Sequence, residues 1–353
     1  MKNPGMKKFI FLCGMLLSII IICEATGRIF LKVKYGTPAG VCYKAFGYDR
    51  EPLLGFELLP KIKKKFFPML GTVFSTNSLG LRGAREYGKK QENELRVAIL
   101  GESCVFGFKA SGDETTIAGY LEQKLTQAFP QQTISVINAG NPGYVSFQTL
   151  ARLQLRLLPL EPDIIVLYMG WNDFGFPANI DGWKRDSFID SDLFFSMDSW
   201  QSFINAKNKN NPCVMCRPFA LTFLAPKIIN RFFYRQCALA KLRYRNKAMA
   251  MLGNFYDNLS SIVAIAQYRD IPVILVTLAS EYNFEPDARK AINDVIRRVA
   301  QESNSFLLDA DAFVSSNRVQ GINDSKDYYH FVDKGNAFMA SLIADQIVAM
   351  LKH

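Results

Sequence analysis

An alternation of short apolar segments with helical periodicity, which begins near Arg96, constrains the fold more than any other feature of this sequence. Five segments have the length and composition of strands buried on both faces of a parallel sheet, and helical repeats of apolar residues follow them. The predicted strands are residues 96–100, 133–138, 163–169, 271–278 and 305–308. Strands that alternate with covering helices pack in layers. The sequence therefore predicts an α/β fold: a three-layer α/β/α sandwich around a five-stranded, mostly parallel sheet.

The N terminus has the pattern of a membrane anchor. Lys2, Lys7 and Lys8 precede an apolar run over residues 9–23, which is typical of an export signal or a retained signal anchor. The run alone is shorter than the roughly 20 apolar residues that span a bilayer, but a helix that continues beyond it would be long enough. We expect a retained transmembrane helix and juxtamembrane segment at residues 1–34, with cleavage as the alternative.

Two further regions lie outside the alternating pattern. Residues 35–92 mix glycine, proline, aromatic residues and a lysine cluster, which predicts a leader that covers one edge of the core. Residues 93–353 hold the strands and helices, and an insertion at about 174–247 interrupts them after the third strand. One α/β core with an anchor and an insertion accounts for the length of the chain, so we expect one main domain.

Positive charge is concentrated in the insertion. Between Asn205 and Tyr256 the chain has ten Lys or Arg and no Asp or Glu, enough to account for its net charge of +10. Near a membrane anchor, such a segment favours lipid headgroups or acidic glycans over nucleic acid as partners. Its aromatic residues fit an amphipathic lid on an anionic membrane, and they fit equally a helix pair that packs them on the core.

Cys213 and Cys216 form a Cys-x-x-Cys pair within the insertion. In an oxidising compartment this pair can form a disulfide; it can also stay reduced or supply half of a metal site. No histidine is near the pair in sequence, and no second Cys-x-x-Cys exists to complete a four-sulfur site. The state of the pair stays open, and the sequence predicts neither a metal nor another cofactor.

Residues capable of chemistry follow three of the predicted strands, where ligands gather in open α/β sheets. Ser103 lies in the turn after the first strand, where its hydroxyl and its backbone N–H can face a ligand. Gly143 lies after the second strand, where the absence of a side chain lets backbone approach a ligand closely. Asn172 follows the third strand and offers a side-chain amide donor. Each residue also has an ordinary interpretation, as a helix cap, a loop glycine or a turn asparagine.

The chain has two histidines, His330 and the terminal His353. Chain ends are the least ordered parts of a protein, so any internal imidazole base must be His330. Asp327 precedes it by three residues, which lets its carboxylate hold Nδ1 while Nε2 faces a serine. A histidine on the surface or at a helix start is the alternative interpretation.

Together these four turns resemble the four sequence blocks of the SGNH, or GDSL-like, hydrolase family, in the same order along the chain. The resemblance covers residue 77 to the C terminus, interrupted by the insertion, and implies the flavodoxin-like SGNH hydrolase fold. The residues carried over are Ser103 as nucleophile, Asp327 and His330 as the rest of the triad, and Ser103, Gly143 and Asn172 as the oxyanion hole.

The segment at residues 77–83, Asn-Ser-Leu-Gly-Leu-Arg-Gly, also looks like the leader of membrane-anchored relatives. It favours a retained anchor, with the main domain on the extracytoplasmic side of the membrane. The chain departs from the family pattern at Glu102 in place of Asp, at Cys104 in place of Leu, and at Phe331, where proline is common. Because positions 102 and 104 perform no triad chemistry in the family, we expect neither departure to matter.

The resemblance implies a membrane-anchored serine esterase that forms an acyl-enzyme and requires no metal or nucleotide. Its substrate would be an ester-containing lipid or an acylated glycan. One alternative is an O-acyltransferase or deacylase that acts on a cell-surface polysaccharide through the same residues. Another is a catalytically inactive, membrane-tethered binding or assembly protein of the same fold, since fold does not guarantee activity.

Overall fold

The computed structural model describes residues 4–35, 48–51, 54–67, 72–175, 238–283, 286–325 and 328–352. The chain divides into two compact units. One unit comprises Met1–Phe46 and Asp186–Leu239, and the other comprises Gly47–Arg185 and Ala240–His353. All of the described strands lie in the second unit.

The order of strands and helices along the chain matches the predicted alternation. The described strands are β1 (Tyr48–Glu51), β2 (Gly55–Leu58), β3 (Lys65–Phe67), β4 (Thr72–Phe74), β5 (Glu94–Gly101), β6 (Thr133–Gly140), β7 (Ile164–Tyr168), β8 (Val273–Val276) and β9 (Phe306–Leu308). The described α-helices are α1 (Pro4–Tyr35), α2 (Ser103–Phe106), α3 (Ile117–Ala128), α4 (Ser146–Arg152), α5 (Trp171–Gly175), α6 (Ala238–Gln267), α7 (Pro286–Ser303), α8 (Ala310–Ser316) and α9 (Asp333–Lys352).

Five strands form a parallel sheet in the order β6-β5-β7-β8-β9. These are the five predicted strands, so the prediction of an α/β fold with a five-stranded parallel sheet is confirmed. The order is that of flavodoxin-like folds. Gly101 at the end of β5 pairs with Gly140 of β6 on one side and with Tyr168 of β7 on the other. The three strands therefore end at the same level, and the turns that follow them start side by side.

Helices join the parallel strands and cover the sheet. The strand order reverses direction after β6, and crossovers between parallel strands are right-handed, so helices before and after the reversal lie on opposite faces. On one face α3 packs against α9. Each helix contributes one apolar stripe, as in α7, which buries Ile292, Ile296 and Val299 at helical spacing. The result is a sheet whose central strands are buried on both sides.

The described part of the leader contains two antiparallel strand pairs, β1–β2 and β3–β4, followed by an irregular segment up to β5. They pack against the turns that follow β5 and β6. The ring of Phe74 meets that of Phe106 edge to face at 5.1 Å. The Tyr144 hydroxyl donates a hydrogen bond to the Phe56 carbonyl at 2.7 Å. The hairpins thus contact the edge of the sheet that carries the candidate site.

Helix α1 contains the apolar run that was predicted to cross a membrane. Within the residues that the structure describes, no helix combines the length and the apolar character needed to span a bilayer. The predicted transmembrane helix is therefore not supported. The physical reason is that residues 9–23 fall short of roughly 20 apolar residues. The helix then continues into Glu24 and Arg28, which form an ion pair at 2.8 Å.

Several predictions concern residues outside the described ranges. Most of the insertion at 174–247 lies there, including Cys213 and Cys216, as do Asp327 and His353. The lid and the state of the cysteine pair remain predictions.

Candidate active site

Two glycines allow the turns at the ends of β5, β6 and β7 to approach one another. A Cβ on Gly101 would lie 2.1 Å from the Tyr168 carbonyl oxygen, and a Cβ on Gly140 would lie 2.1 Å from the Phe106 backbone nitrogen. Neither space can hold a side chain, so glycine is required at both positions. The close approach brings the predicted turns of Ser103, Gly143 and Asn172 to one edge of the sheet.

Ser103 begins helix α2 and faces His330, which lies near the other end of the chain. The Oγ atom of Ser103 is 2.7 Å from Nε2 of His330, a hydrogen-bonding distance. Both residues are buried, with 9% and 6% of their surfaces exposed. The ring of Phe108 stacks on the imidazole at a centroid distance of 4.6 Å, which limits how the imidazole can turn. A hydroxyl next to an imidazole nitrogen is the pairing required to activate a serine nucleophile.

The loop that carries His330 is held by two residues that follow β8. The Glu281 carboxylate accepts hydrogen bonds from the three backbone N–H groups of residues 321–323, at 2.6, 2.9 and 2.8 Å. The Ser280 hydroxyl donates to the Tyr328 carbonyl at 2.6 Å. Sequence reasoning missed both residues, because their partners are backbone groups that any sequence would offer.

The Asn172 side chain lies beside the turn that contains Gly143. Its Nδ2 atom donates to the Tyr144 carbonyl at 2.8 Å. A carbonyl can only accept, so this bond identifies the amide nitrogen and leaves its second N–H for another acceptor. Gly143 has a φ of 88°, in the left-handed region that favours glycine. Amide donors close to a nucleophile can stabilise an oxyanion that develops there.

Glu102 is buried between the turn of Ser103 and the turn of Asn172, with 1% of its surface exposed. Its carboxylate accepts the backbone N–H groups of Gly170 at 2.6 Å and of Asn172 at 3.1 Å. Burial, and after it the negative charge of Asp173, raise the pKa of Glu102 well above its ordinary value. The sequence analysis considered position 102 only for triad chemistry and did not anticipate these contacts.

The other two departures from the family pattern also lie within the site. The Cys104 thiol donates to the Tyr329 carbonyl at 3.4 Å, which connects α2 to the loop of His330. Phe331 is almost fully buried, and its ring lies 5.8 Å from that of Tyr168 on β7. The loop therefore gains apolar packing at the position where proline is common in the family.

Arg82 supports the end of the nucleophile helix from the leader. Its guanidinium is buried and donates to the carbonyls of Phe106 and Gly107 at 2.6 and 2.8 Å. These carbonyls close a short helix whose last C=O groups need partners. Burial lowers the pKa of Arg82 to about 10, while the Asp113 carboxylate at 3.0 Å opposes this shift. The residue is still charged at neutral pH.

Asp173 joins the turn after β7 to the start of α4. Its carboxylate accepts the Ser146 backbone N–H at 3.0 Å and the Ser146 hydroxyl at 2.5 Å. Asn258 on α6 completes the network, since its side-chain amide donates to the same hydroxyl at 2.9 Å. Burial raises the pKa of Asp173 to about 6, although the hydrogen bonds from Ser146 oppose the increase.

Asp173 is expected to make the stability of the protein depend on pH. Because its folded pKa of about 6 exceeds the ordinary value of 3.8, the folded state holds the proton more tightly than the unfolded state. This residue's contribution to the free energy of unfolding is therefore largest below pH 4 and is lost as pH rises through about 6. The contribution that is lost amounts to about 3 kcal/mol at most. Urea unfolding of wild type and Asp173→Asn should show a stability difference that changes by this amount between pH 4 and pH 6.5. A difference that stays constant across that range would contradict the assignment.

The described residues combine a hydroxyl, an imidazole and an amide donor at one edge of the sheet. Such groups can attack an acyl carbon and stabilise the oxyanion that forms. Within the described ranges, no three His, Cys, Asp or Glu side chains group so that they could hold a metal ion.

Comparison with known proteins places the chain in a family. The model of the GDSL-like lipase/acylhydrolase family matches residues 99–338, more than half of the chain. The search of curated proteins found no match. Similar solved structures include a lipase/acylhydrolase from Enterococcus faecalis, at 16% identity and a TM-score of 0.45 over 72% of this chain and 96% of that one. Another is an acetylxylan esterase from Geobacillus stearothermophilus, at 17% identity and a TM-score of 0.44 over 71% of this chain and 93% of that one. The match to the family model establishes that the chain belongs to the GDSL-like lipase/acylhydrolase family and is a serine hydrolase that acts on ester bonds.

Proposed function

We propose that the protein is an esterase that forms an acyl-enzyme on Ser103, with His330 as general base. The observation that carries the proposal is the 2.7 Å distance between Ser103 Oγ and His330 Nε2. As the hydroxyl attacks the ester carbonyl, the imidazole takes its proton and then passes it to the leaving alcohol. Water then attacks the acyl carbon while the imidazole removes one of its protons; the bond from the acyl carbon to Ser103 Oγ breaks, the imidazole returns the proton to Oγ, and the carboxylic acid is released. Asp327 orients the imidazole through Nδ1 in this proposal, as the third member of the triad.

The oxyanion of both tetrahedral intermediates is stabilised by three donors in this mechanism. They are the backbone N–H groups of Ser103 and Gly143 and the side-chain amide of Asn172. Support comes from the bond between Asn172 Nδ2 and the Tyr144 carbonyl, which uses one of the two N–H groups of the amide and leaves the other. Donors that are fixed before the reaction need no reorganisation when the charge appears.

The test of the proposal is to trap the acyl group and find where it is attached. The protein is mixed with a short-chain nitrophenyl ester, quenched with acid within milliseconds to seconds, digested and analysed by mass spectrometry. We expect a burst of nitrophenol and the mass of one acyl group on the peptide that contains Ser103. An acyl group on any other residue, or hydrolysis without a burst under rapid mixing and without a trapped acyl group, would contradict the proposal.

Asn172→Ala is expected to lower kcat by about 10² to 10³, with a smaller effect on KM, because the lost donor acts mainly on the transition state. Steady-state kinetics with the same ester measure the loss. Asn93→Ala is the matched control, since Asn93 is exposed and precedes the opposite end of β5. A variant at Asn172 that keeps the kcat of the control would remove this residue from the oxyanion hole.

We propose an acylated glycan as the natural substrate. Support comes from the aromatic rings that surround the base: the ring of Tyr329 lies 4.4 Å from His330 and 5.7 Å from the ring of Trp171. Flat aromatic faces can stack on sugar rings, and aromatic side chains are common in the lining of ligand sites. Acetylated oligosaccharides should therefore be hydrolysed with a higher kcat/KM than simple esters of the same acid. A preference for long-chain glycerol esters would point to a lipid substrate instead.

The same residues could pass the acyl group to a sugar hydroxyl in place of water. Incubation with an acyl donor, with and without an unacylated oligosaccharide, distinguishes the two reactions. A hydrolase releases the free acid at the same rate in both cases, whereas an acyltransferase forms acylated sugar at the expense of free acid.

We also propose that the N-terminal segment holds the enzyme on the extracytoplasmic side of a membrane. Support comes from α1, where large apolar side chains such as Phe11, Leu16 and Ile22 are exposed and call for an apolar environment. The full chain should sediment with membranes after a high-salt wash, and a chain that lacks residues 1–35 should not. Labelling of an introduced surface cysteine by a membrane-impermeant reagent in intact cells would test the side.

A further inference from the structure

Glu102 spans the two halves of the site. It lies between the end of β5 and the start of α2, immediately before Ser103. Its two carboxylate oxygens accept N–H groups from the turn after β7, one from Gly170 at 2.6 Å and one from Asn172 at 3.1 Å. The residue is 1% exposed, so water cannot replace these bonds. A single buried side chain thus connects the turn of the nucleophile to the turn of the amide donor.

The contacts of Glu102 fix the backbone that carries the Asn172 side chain. Gly170 begins the turn with a φ of 133°, outside the range that other residues readily adopt, and its N–H is held by one carboxylate oxygen. The N–H of Asn172 is held by the other oxygen. The Asn172 amide is then held at its far end by the Tyr144 carbonyl at 2.8 Å. With both its backbone and its amide fixed, little freedom is left in the direction of the second N–H.

The chemistry of a carboxylate suits this position. Both carboxylate oxygens of Glu102 accept an N–H in the structure, and these two bonds favour the ionised form against the burial that raises the pKa of the group. An amide in its place would present one acceptor and one donor, so that either Gly170 or Asn172 would face a donor. Such a mismatch inside a buried turn displaces the backbone. Misplacement of a catalytic group by about 1 Å can reduce a rate by about 100-fold.

We propose that Glu102 is a positioning residue of the oxyanion hole, which holds the turn of residues 170–172 so that the Asn172 amide is aimed at the developing oxyanion. The inference rests on the proposed function of Asn172. Glu102 itself touches no reacting atom and acts only through the turn that it holds.

The test is a double-mutant cycle between Glu102→Gln and Asn172→Ala, measured by steady-state hydrolysis of a nitrophenyl ester in the full chain. Glu102→Gln alone is expected to lower kcat by about 10- to 100-fold with KM little changed. The affinity for a boronic acid that mimics the tetrahedral intermediate should fall by the same factor. In the Asn172→Ala background, Glu102→Gln should change kcat by less than about twofold, because the group that it positions has gone.

Glu281→Gln is the matched control, because Glu281 is another carboxylate that accepts backbone N–H groups, but in the loop of His330. Its effect should multiply with that of Asn172→Ala, since the two residues act on different parts of the machinery. Glu102→Asp keeps the carboxylate and should recover most of the kcat that Glu102→Gln loses.

Two results would overturn the inference: wild-type kcat in Glu102→Gln, or a loss in that variant that recurs in full in the Asn172→Ala background. If Glu102→Gln does not fold, Glu102→Ala is taken through the same cycle, and a loss of kcat that recurs in full in the Asn172→Ala background overturns the inference. A failure of the proposed function looks different, because Asn172→Ala would then retain wild-type kcat by itself.

Discussion

Ser103→Ala should abolish ester hydrolysis, with a loss of kcat on the order of 10⁶-fold, the size seen when the nucleophile of a serine hydrolase is removed. The methyl group cannot form the acyl-enzyme, and only binding and oxyanion stabilisation remain to assist attack by water. Labelling by a fluorescent phosphonate, which reacts with activated serines, should disappear as well. The circular dichroism spectrum and the unfolding midpoint should stay close to those of wild type, because the substitution removes one oxygen.

Ser341→Ala, on helix α9, is a suitable control and should label as wild type does. Labelling that persists in Ser103→Ala would place the nucleophile elsewhere. If neither wild type nor the control labels or hydrolyses esters, the protein is the catalytically inactive alternative, and the Ser103–His330 pair is a remnant of the fold.

His330→Ala should cause a loss of similar size, on the order of 10⁵- to 10⁶-fold in kcat. Without the imidazole at 2.7 Å, the Ser103 hydroxyl has no base in place to accept its proton. Steady-state hydrolysis measures the loss, and added free imidazole should restore part of the activity, which a purely structural defect would not allow. His353→Ala is the natural control, because it removes the other histidine of the chain.

Phosphonate labelling further distinguishes the role of Ser103 as nucleophile from that of His330 as base. His330→Ala keeps the nucleophile, so labelling should be slow but still occur at Ser103, whereas Ser103→Ala should show none. A His330 variant with the kcat of wild type would exclude this residue as the base.

The sheet could be predicted from the sequence because its signal is local. Each interior strand is a short run of β-branched and aliphatic residues, and all five segments became strands of one parallel sheet. The pairing of Ser103 with His330, 227 positions apart, was anticipated for a different reason. Motif resemblance supplied the partner, and the scarcity of histidine left no other candidate.

The supporting contacts could not be read from the sequence. Glu102, Glu281 and Arg82 bind backbone N–H or C=O groups of distant turns, and such groups are the same in every sequence. Their role depends on tertiary geometry alone. The departure from the family pattern at position 102 was discounted because this position performs no triad chemistry. The contact of Glu102 with the turn of Asn172 was therefore not predicted. The transmembrane helix predicted at the N terminus is not supported within the described residues, where the charged residues Glu24 and Arg28 follow the apolar run.

The contacts of the leader determine how short a working enzyme can be. A recombinant protein trimmed to residues 93–353 would keep every residue assigned to the chemistry, yet it would lack Arg82 and the Phe56 carbonyl. The carbonyls at the end of α2 and the Tyr144 hydroxyl would each lose a bonding partner. Truncation to the hydrolase blocks alone would therefore remove contacts at two turns of the site, and we expect a fully active fragment to include both hairpins and Arg82.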